Sequence, residues 1–328
     1  MESVVSNVMT KQRPPRALFF GMQGNFSAPF LTALLDSGIE VAAVIVPAPP
    51  LPGNNKPPAI QRRERPRFMR TILPLANTSL HSSILQTAWA HELPVWEVQR
   101  LSDRETLATL AAYEPDIICV ACFSLRIPRA IIDLPRLGCL NVHPSLLPAN
   151  RGPVPLFWTF RAGLETTGVT IHLIDEGMDS GDILAQEVLP VPDGISYDEL
   201  EHQCTLHGKA LLVRTVWNLY DGYAMRTPQD NTLSSYYPFP SNTDFSIPTA
   251  EWSARHVYNF IRGIHSWGNP LLLHNGEKIF QVQDAIAYRQ DGHESKCVEH
   301  PASHTLDTSV LWIRCKVGKV QIRIYPDT

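Results

Sequence analysis

Residues 16–46 read RALFFGMQGNFSAPFLTALLDSGIEVAAVIV, and this stretch decides the fold class. Arg16–Gly21 is a short apolar run that stops at a glycine. SAPFLTALLDSG then spaces its apolar residues as a helix does and closes at Gly38, and Ile39–Val46 is a second unbroken apolar run. Apolar runs without alternation mark strands covered on both faces. A buried strand, a helix and a second buried strand in succession form a βαβ unit, which belongs to a parallel sheet.

The pattern continues downstream. Leu93–Val98 reads as a third strand, SDRETLATLAAYEP as a helix opened by a capping box from Ser102 to Glu105 and stopped at Pro115, DIICVACFS as a fourth strand and GCLNVH as a fifth. VPLFWTFRAG reads as a helix ending at Gly163. Gly168–Asp175 alternates as a strand with Thr170 and His172 on one face, and ILAQEVLPV is another strand. A long helix opens with a second capping box, Ser196 to Glu199, and runs to about Tyr220. The expected class is α/β, a Rossmann-like, mostly parallel sheet with helices on both faces.

Composition changes after that helix. Arg226–Thr249 is polar and rich in proline and reads as a linker. Beyond it come the helix AEWSARHVYNFIRGIH and the strand candidates PLLLHNGEKIFQVQDAIAY, SVLWIRC and GKVQIRIY. Together they suggest a small β-rich, OB-like domain. The expected organisation is a disordered lead over 1–15, a catalytic domain over 16–225, a linker over 226–245 and the OB-like domain over 246–328. Trp252, Tyr258, Phe260 and Trp267 read as packing residues rather than a base-stacking platform.

The bulk numbers set limits. A chain of 328 residues favours two domains, and 44% hydrophobic with 18% charged residues suits an ordinary soluble globular protein. The net charge of −4 supplies no global attraction to nucleic acid or anionic membrane. No apolar run reaches the roughly 18–20 residues of a membrane span, and the N-terminus lacks a signal-peptide pattern. Six cysteines are dispersed along the chain, five of them in apolar or helical surroundings, and read as reduced, so the expected compartment is the cytoplasm. Cys119 and Cys122 form a C-x-x-C without a second pair at ligand spacing, so they read as structural and no metal is expected.

Two loops carry candidate chemistry. The turn Gly21–Ser27 lacks G-x-G-x-x-G and is either a plain tight turn or a helix N-terminus open to a polar substrate group. Pro47–Arg70 is a long proline-rich insertion that concentrates Arg62, Arg63, Arg65, Arg67 and Arg70. It reads as a disordered segment or as a basic arm for phosphates.

Asn141 and His143 leave the fifth strand on the same side, at the carboxyl end where open α/β sheets bind ligands. Asn-x-His by itself also describes a capped strand end. The loop after the next strand adds Asp175, Glu176 and Asp179. An amide donor steadies an oxyanion, and a carboxylate favours the protonated form of a nearby histidine. No Ser or Cys stands in a nucleophile elbow. The trio therefore suits attack on a carbonyl carbon by a nucleophile that the substrate brings.

LNVHPSLLP followed by RGPVP, then GLETTGVTIHLIDEGMDSGDILAQ, resembles the formyltransferases that use 10-formyltetrahydrofolate. That family includes enzymes acting on methionyl-tRNA, on glycinamide ribonucleotide and on amino sugar nucleotides. The resemblance covers residues 16–220, and WSARHVYNFIRGIHSWGNP extends it faintly into the C-terminal domain. It rests on the N-x-H-P-S-L-L-P block and on Asp179 lying 36 residues after His143.

The resemblance implies that Asn141, His143 and Asp179 are catalytic and that Thr170 and His172 support them. It implies folate binding largely through backbone near Leu125 and Ile127 and along Asp175, Glu176, Gly177 and Met178. The first turn, at Gly24 and Asn25, and the segment Arg151, Gly152 and Pro153 would face the acceptor. The implied co-substrate is 10-formyltetrahydrofolate, and the acceptor is a primary amine. Methionyl initiator tRNA comes first because of the basic insertion at 56–70 and the OB-like tail. An amino sugar nucleotide or another small amine comes second, and hydrolysis of the folate third. The tRNA-formylating branch usually reads GTPDFA and NxHASLLP where this chain reads GMQGNFSAP and NVHPSLLP. Those departures leave the acceptor open.

Overall fold

A computed structural model describes residues 13–49, 57–66, 83–290 and 310–325. The chain divides into two compact units, Met1–Leu140 with Leu212–Ala224 and Asn141–Leu211 with Met225–Thr328.

The first unit contains β1 (Arg16–Gly21), α1 (Ser27–Asp36), β2 (Glu40–Pro47), β3 (Ile60–Arg62), α2 (Ile84–Ala90), β4 (Val95–Val98), α3 (Arg104–Ala111), β5 (Ile117–Ala121) and α4 (Arg129–Ile132). Its strands run β3-β4-β2-β1-β5. β1 pairs in parallel with β2 and β5, and β2 with β4. Leu18, Phe19, Phe20, Val44, Ile45 and Ile117 are fully buried, which is why the strands carry no polar alternation. Gly38, past the end of α1, has a φ of +78° that a side chain would resist.

Two expectations change here. The cap of α3 is Asp103, whose carboxylate accepts from Glu105 N at 3.0 Å, and not Ser102. Burial of Thr106 and Leu110 sets the helix register, and it starts one residue later than the capping-box pattern implies. Within the insertion read as a loop, β3 forms an antiparallel edge on β4. Three residues with one buried position leave no periodic signal. Arg63 forms an ion pair with Glu97, and Arg62 lies 3.5 Å from Glu64, so part of the basic charge is matched locally. Arg67 and Arg70 lie outside the described residues, as do residues 1–12 of the expected lead.

Asp116 anchors the first unit. Its carboxylate accepts from Arg16 N at 2.8 Å, Arg13 Nη1 at 2.7 Å and Arg136 Nε at 2.7 Å. Arg13–Pro15 are therefore tied down. Burial alone would raise the carboxyl pKa, but the Arg16 amide and the Arg136 and Arg13 guanidinia hold it below the usual value. A depressed folded-state pKa gives stability that is present above the unfolded carboxylate pKa of about 3.9 and lost as pH falls through the folded value. Asp116→Asn is expected to cost about 2–3 kcal/mol at pH 7, because both arginines can still reach water. The difference in denaturant midpoint from the wild type should shrink below about pH 4. A constant difference from pH 7 to pH 3 would refute this assignment.

The second unit takes up the last residues of β6 (Cys139–His143), then α5 (Pro155–Arg161), β7 (Thr166–Leu173), β8 (Ile183–Pro190) and α6 (Tyr197–Tyr220), whose final turns belong to the first unit. The order is β6-β7-β8, with β8 antiparallel to β7. The Ser196–Glu199 capping box is present, with Glu199 N to Ser196 Oγ at 3.2 Å and Ser196 N to Glu199 Oε2 at 3.1 Å.

The same unit continues with β9 (Ser246–Pro248), α7 (Ala254–Ile264), β10 (Leu271–Asn275), β11 (Lys278–Arg289), β12 (Val310–Arg314) and β13 (Lys319–Ile324). These strands form a five-stranded sheet in the order β12-β13-β11-β10-β9. Phe157 packs against Phe245, Phe260 and Trp267, and Trp252 stacks on His256 with centroids 3.8 Å apart. Trp252, Tyr258, Phe260 and Trp267 are packing residues. Asp193 accepts from Arg255 Nε, Asn259 Nδ2 and Tyr288 OH, so the turn before α6 is pinned to α7 and β11. The fold is α/β with a mostly parallel sheet and a small β-rich C-terminal part.

Candidate active site

Asn141, His143, Thr170, His172 and Asp179 come together in the second unit, at the carboxyl ends of β6 and β7. The β6 end is shaped by Thr170. Its Oγ1 donates to Ser145 O at 2.6 Å and accepts from Leu147 N at 3.2 Å and Gln186 Nε2 at 2.9 Å. One hydroxyl thereby satisfies buried backbone of the 145–147 turn, which is the physical content of a supporting threonine.

His172 is 1% exposed, and its Nδ1 lies 2.8 Å from Leu173 O. A carbonyl only accepts, so Nδ1 carries the hydrogen and Nε2 is the lone pair facing Asn141 Nδ2 at 3.1 Å. Burial pushes the His172 pKa down to about 4, more than nearby Asp179 offsets. The ring is neutral near pH 7. It therefore fixes the Asn141 amide with nitrogen toward His172, and the second hydrogen of that nitrogen stays available.

His143 is 4% exposed and has Nε2 2.9 Å from Asn150 O. By the same reasoning Nε2 carries a hydrogen. Nδ1 faces the carboxylate, 3.8 Å from Asp179 Oδ2. Asp179 is placed by a left-handed backbone with φ +51° and by Gly152 N donating to Oδ2 at 2.8 Å. An amide donor, a histidine that can be charged and a carboxylate are thus held together, ready to meet a developing oxyanion and to move a proton.

Other expected residues are distributed as follows. Asp175, Glu176, Gly177 and Met178 are exposed, with Met178 at 52%. Asp175 closes the loop on itself by accepting from Gly177 N at 3.0 Å and Ser180 Oγ at 2.8 Å. Arg151 and Gly152 adjoin Asp179, and Pro153 is exposed. Gly24 and Asn25 are exposed in the turn before α1 of the first unit, where Ser27 Oγ accepts from Met22 N at 3.1 Å and donates to Ala121 O at 2.6 Å. Leu125 and Ile127 also lie in the first unit, after β5, half-buried and buried respectively. Cys119 is buried and Cys122 exposed, and among the described residues no cluster of His, Cys, Asp and Glu is placed to hold a metal ion.

Residues 226–245, read as a linker, pack along this site. Thr227 and Ile183 exchange backbone hydrogen bonds at 2.9 Å, Arg151 N donates to Ser235 O at 2.9 Å, and Tyr237 N donates to Arg151 O at 3.0 Å. Trp158 stacks on Tyr237 at 4.6 Å and donates from Nε1 to Pro238 O at 3.0 Å. Gln229 and Ser235 reach the loops of the candidate site, and nothing in their local sequence marks them. A glutamine and a serine in a polar proline-rich stretch look like solvated surface until their partners are known.

The fold and this constellation suit an enzyme that transfers a one-carbon acyl group. The family model "Formyl transferase" matches residues 16–216, and the chain belongs to that family. Its donor is 10-formyltetrahydrofolate. Methionyl-tRNA formyltransferase of Syntrophus aciditrophicus (strain SB) is 35% identical over 265 residues, which are 80% of this chain and 78% of that protein. The Moorella thermoacetica enzyme of the same name is 34% identical over the same shares. Among solved structures, the N-formyltransferase from Helicobacter canadensis, in complex with folinic acid and dTDP-3-aminofucose, superposes with a TM-score of 0.62 at 16% identity. That match covers 94% of this chain and 99% of the other. A HypX variant from Aquifex aeolicus gives a TM-score of 0.56 at 18% identity over 94% of this chain, which spans 45% of HypX. Likeness at such identities speaks for the fold alone. No described helix is long and apolar enough to cross a membrane.

Proposed function

We propose that the chain formylates the α-amine of methionyl initiator tRNA, with Asn141, His143 and Asp179 as its catalytic groups. The observation that carries the acceptor is identity of 34–35% with methionyl-tRNA formyltransferases over four-fifths of the chain. The amine nitrogen attacks the formyl carbon and forms the new C–N bond. The formyl oxygen takes up negative charge between Asn141 Nδ2 and the protonated His143. Collapse breaks the bond to N10 of the folate. Asp179 takes the proton lost by the amine, protonated His143 gives one to N10, and the proton on Asp179 then passes to His143, so charge and atoms balance. Backbone of the exposed 175–178 loop and the segment at Leu125 and Ile127 would hold the folate.

A basic sheet face supports a nucleic-acid acceptor. Lys319 is cross-strand from both Arg289 and Arg314. The Arg289 and Lys319 head groups lie 5.1 Å and 5.3 Å from the ring centroid of Trp312, which is 39% exposed. Cations beside an exposed aromatic ring suit phosphates and an unstacked base. The arginines of the insertion would add to this attraction.

The test offers 10-formyltetrahydrofolate with charged initiator tRNA and, separately, a panel of amino sugar nucleotides. With about four phosphate contacts, tRNA affinity should fall on the order of 100-fold between 50 and 200 mM salt. The triple variant Arg289→Ala, Arg314→Ala, Lys319→Ala should flatten that slope. Turnover of a sugar nucleotide with no salt dependence would move the acceptor to a small amine. Folate turnover without any amine would make the chain a hydrolase.

A further inference from the structure

Gln229 spends every hydrogen-bonding position it has on the loops around the candidate site. Its Nε2 donates to Asp179 O at 2.8 Å and to Gly181 O at 2.7 Å. Its Oε1 accepts from Arg151 Nε at 3.2 Å and Nη2 at 2.7 Å. One amide therefore joins the left-handed Asp179 turn to Arg151, whose neighbour Gly152 donates directly to the Asp179 carboxylate. A few residues along the same segment, Ser235 Oγ accepts from Asn150 N at 2.8 Å, and Asn150 O holds His143 Nε2. Both members of the His143–Asp179 pair are thus held from residues 229–235.

We infer that Gln229 is a positioning residue for formyl transfer, setting the separation of Asp179 from His143 through the backbone of the Asp179 turn. The inference rests on the reading that Asp179 and His143 work as a pair. Asp179 has a positive φ that a non-glycine residue resists, so the turn needs an outside partner to keep it. A glutamine serves because its amide donates twice on one side and accepts twice on the other. Glutamate at this position would keep Arg151 and set a carboxylate against two carbonyl oxygens.

The experiment is a double-mutant cycle on the full chain, at temperatures where circular dichroism shows every variant folded. It uses 10-formyltetrahydrofolate and whichever acceptor the wild type formylates. Gln229→Ala and Gln229→Glu should each lower kcat by about 10- to 100-fold, the scale of an ångström of misplacement, with both KM values within about twofold. Asp179→Asn sets the floor. Adding Gln229→Ala to Asp179→Asn should cost less than about twofold more, because Gln229 acts through Asp179. A residue that only stabilises the fold would leave kcat unchanged in both backgrounds, and one that shapes the site without acting through Asp179 would reduce the Asp179→Asn enzyme by the full factor. If Gln229→Ala fails to fold, Gln229→Glu carries the same cycle. Wild-type kcat in the Gln229 variants, or full additivity with Asp179→Asn, overturns the inference. Wild-type kcat in Asp179→Asn alone would instead overturn the reading of the pair.

Discussion

Asn141→Ala is expected to lower kcat by about 10²- to 10³-fold, the cost of removing one oxyanion donor from a preorganised site. KM for the folate should change little, because the amide is needed most when negative charge develops on the formyl oxygen. The preorganisation is visible in the structure: neutral His172 accepts from Asn141 Nδ2 and so decides which end of the amide is presented. Asn141→Asp should be as impaired as Asn141→Ala, since an oxygen would then face both the lone pair of His172 and the oxyanion. A pH effect follows from the same bond. The His172 pKa is held down at about 4, chiefly by burial. Above that value the ring is neutral and accepts. Below it the ring becomes a donor on Nε2, the Asn141 amide must turn its oxygen inward, and kcat falls. The folded-state pKa lies below the ordinary imidazole value, so the neutral site is lost only as pH falls through about 4. Steady-state kinetics of the two variants and a wild-type pH profile check this. Near-normal kcat in Asn141→Ala would remove it from the catalytic groups.

Gly152→Ala is expected to be nearly as damaging by a different route. Gly152 has φ +114°, and a β-carbon there would lie 2.0 Å from Tyr237 O. That contact is backbone, so no side-chain rotation relieves it. Either the 235–237 segment or the Gly152 peptide must move, and Gly152 N is the donor that holds Asp179 Oδ2. Misplacement of about an ångström costs on the order of 100-fold in rate. Backbone strain and the displaced segment should also lower stability, by about 1–3 kcal/mol. Gly24→Ala provides the contrast. Gly24 also has a positive φ, at +138°, but nothing lies within 4 Å of the added carbon. Its cost should be confined to local strain, with no steric clash. Equal Tm and kcat for Gly152→Ala and the wild type would show that the segment gives way freely.

Much of the fold was legible because burial imposes period. The strands β1, β2 and β5 announce themselves as unbroken apolar runs, and α6 carries its cap in Ser196 and Glu199. Short elements were not legible. β3 and β9 have three residues each and are strands only because β4 and β10 supply their hydrogen bonds. The α3 cap was misplaced by one residue because Ser102 and Asp103 are both good caps and only the buried face of the helix chooses between them.

For the site, the sequence alone determined that Asn141 and His143 emerge together from the end of a strand. It also determined that Asp179 follows after a strand and a loop, and that Thr170 and His172 share one face. Those facts follow from the two-residue repeat of a strand, which is local. Tertiary structure decided the rest. It made His172 neutral by burying it, and it chose which end of Asn141 is presented. It also bound residues 226–245 to the loops around Asn141, His143 and Asp179, making Gln229 and Ser235 part of the site's frame. Protonation depends on how much water neighbouring chain excludes, and a loop's hydrogen-bond partner depends on which distant segment passes beside it. Neither quantity is written in the residues on either side.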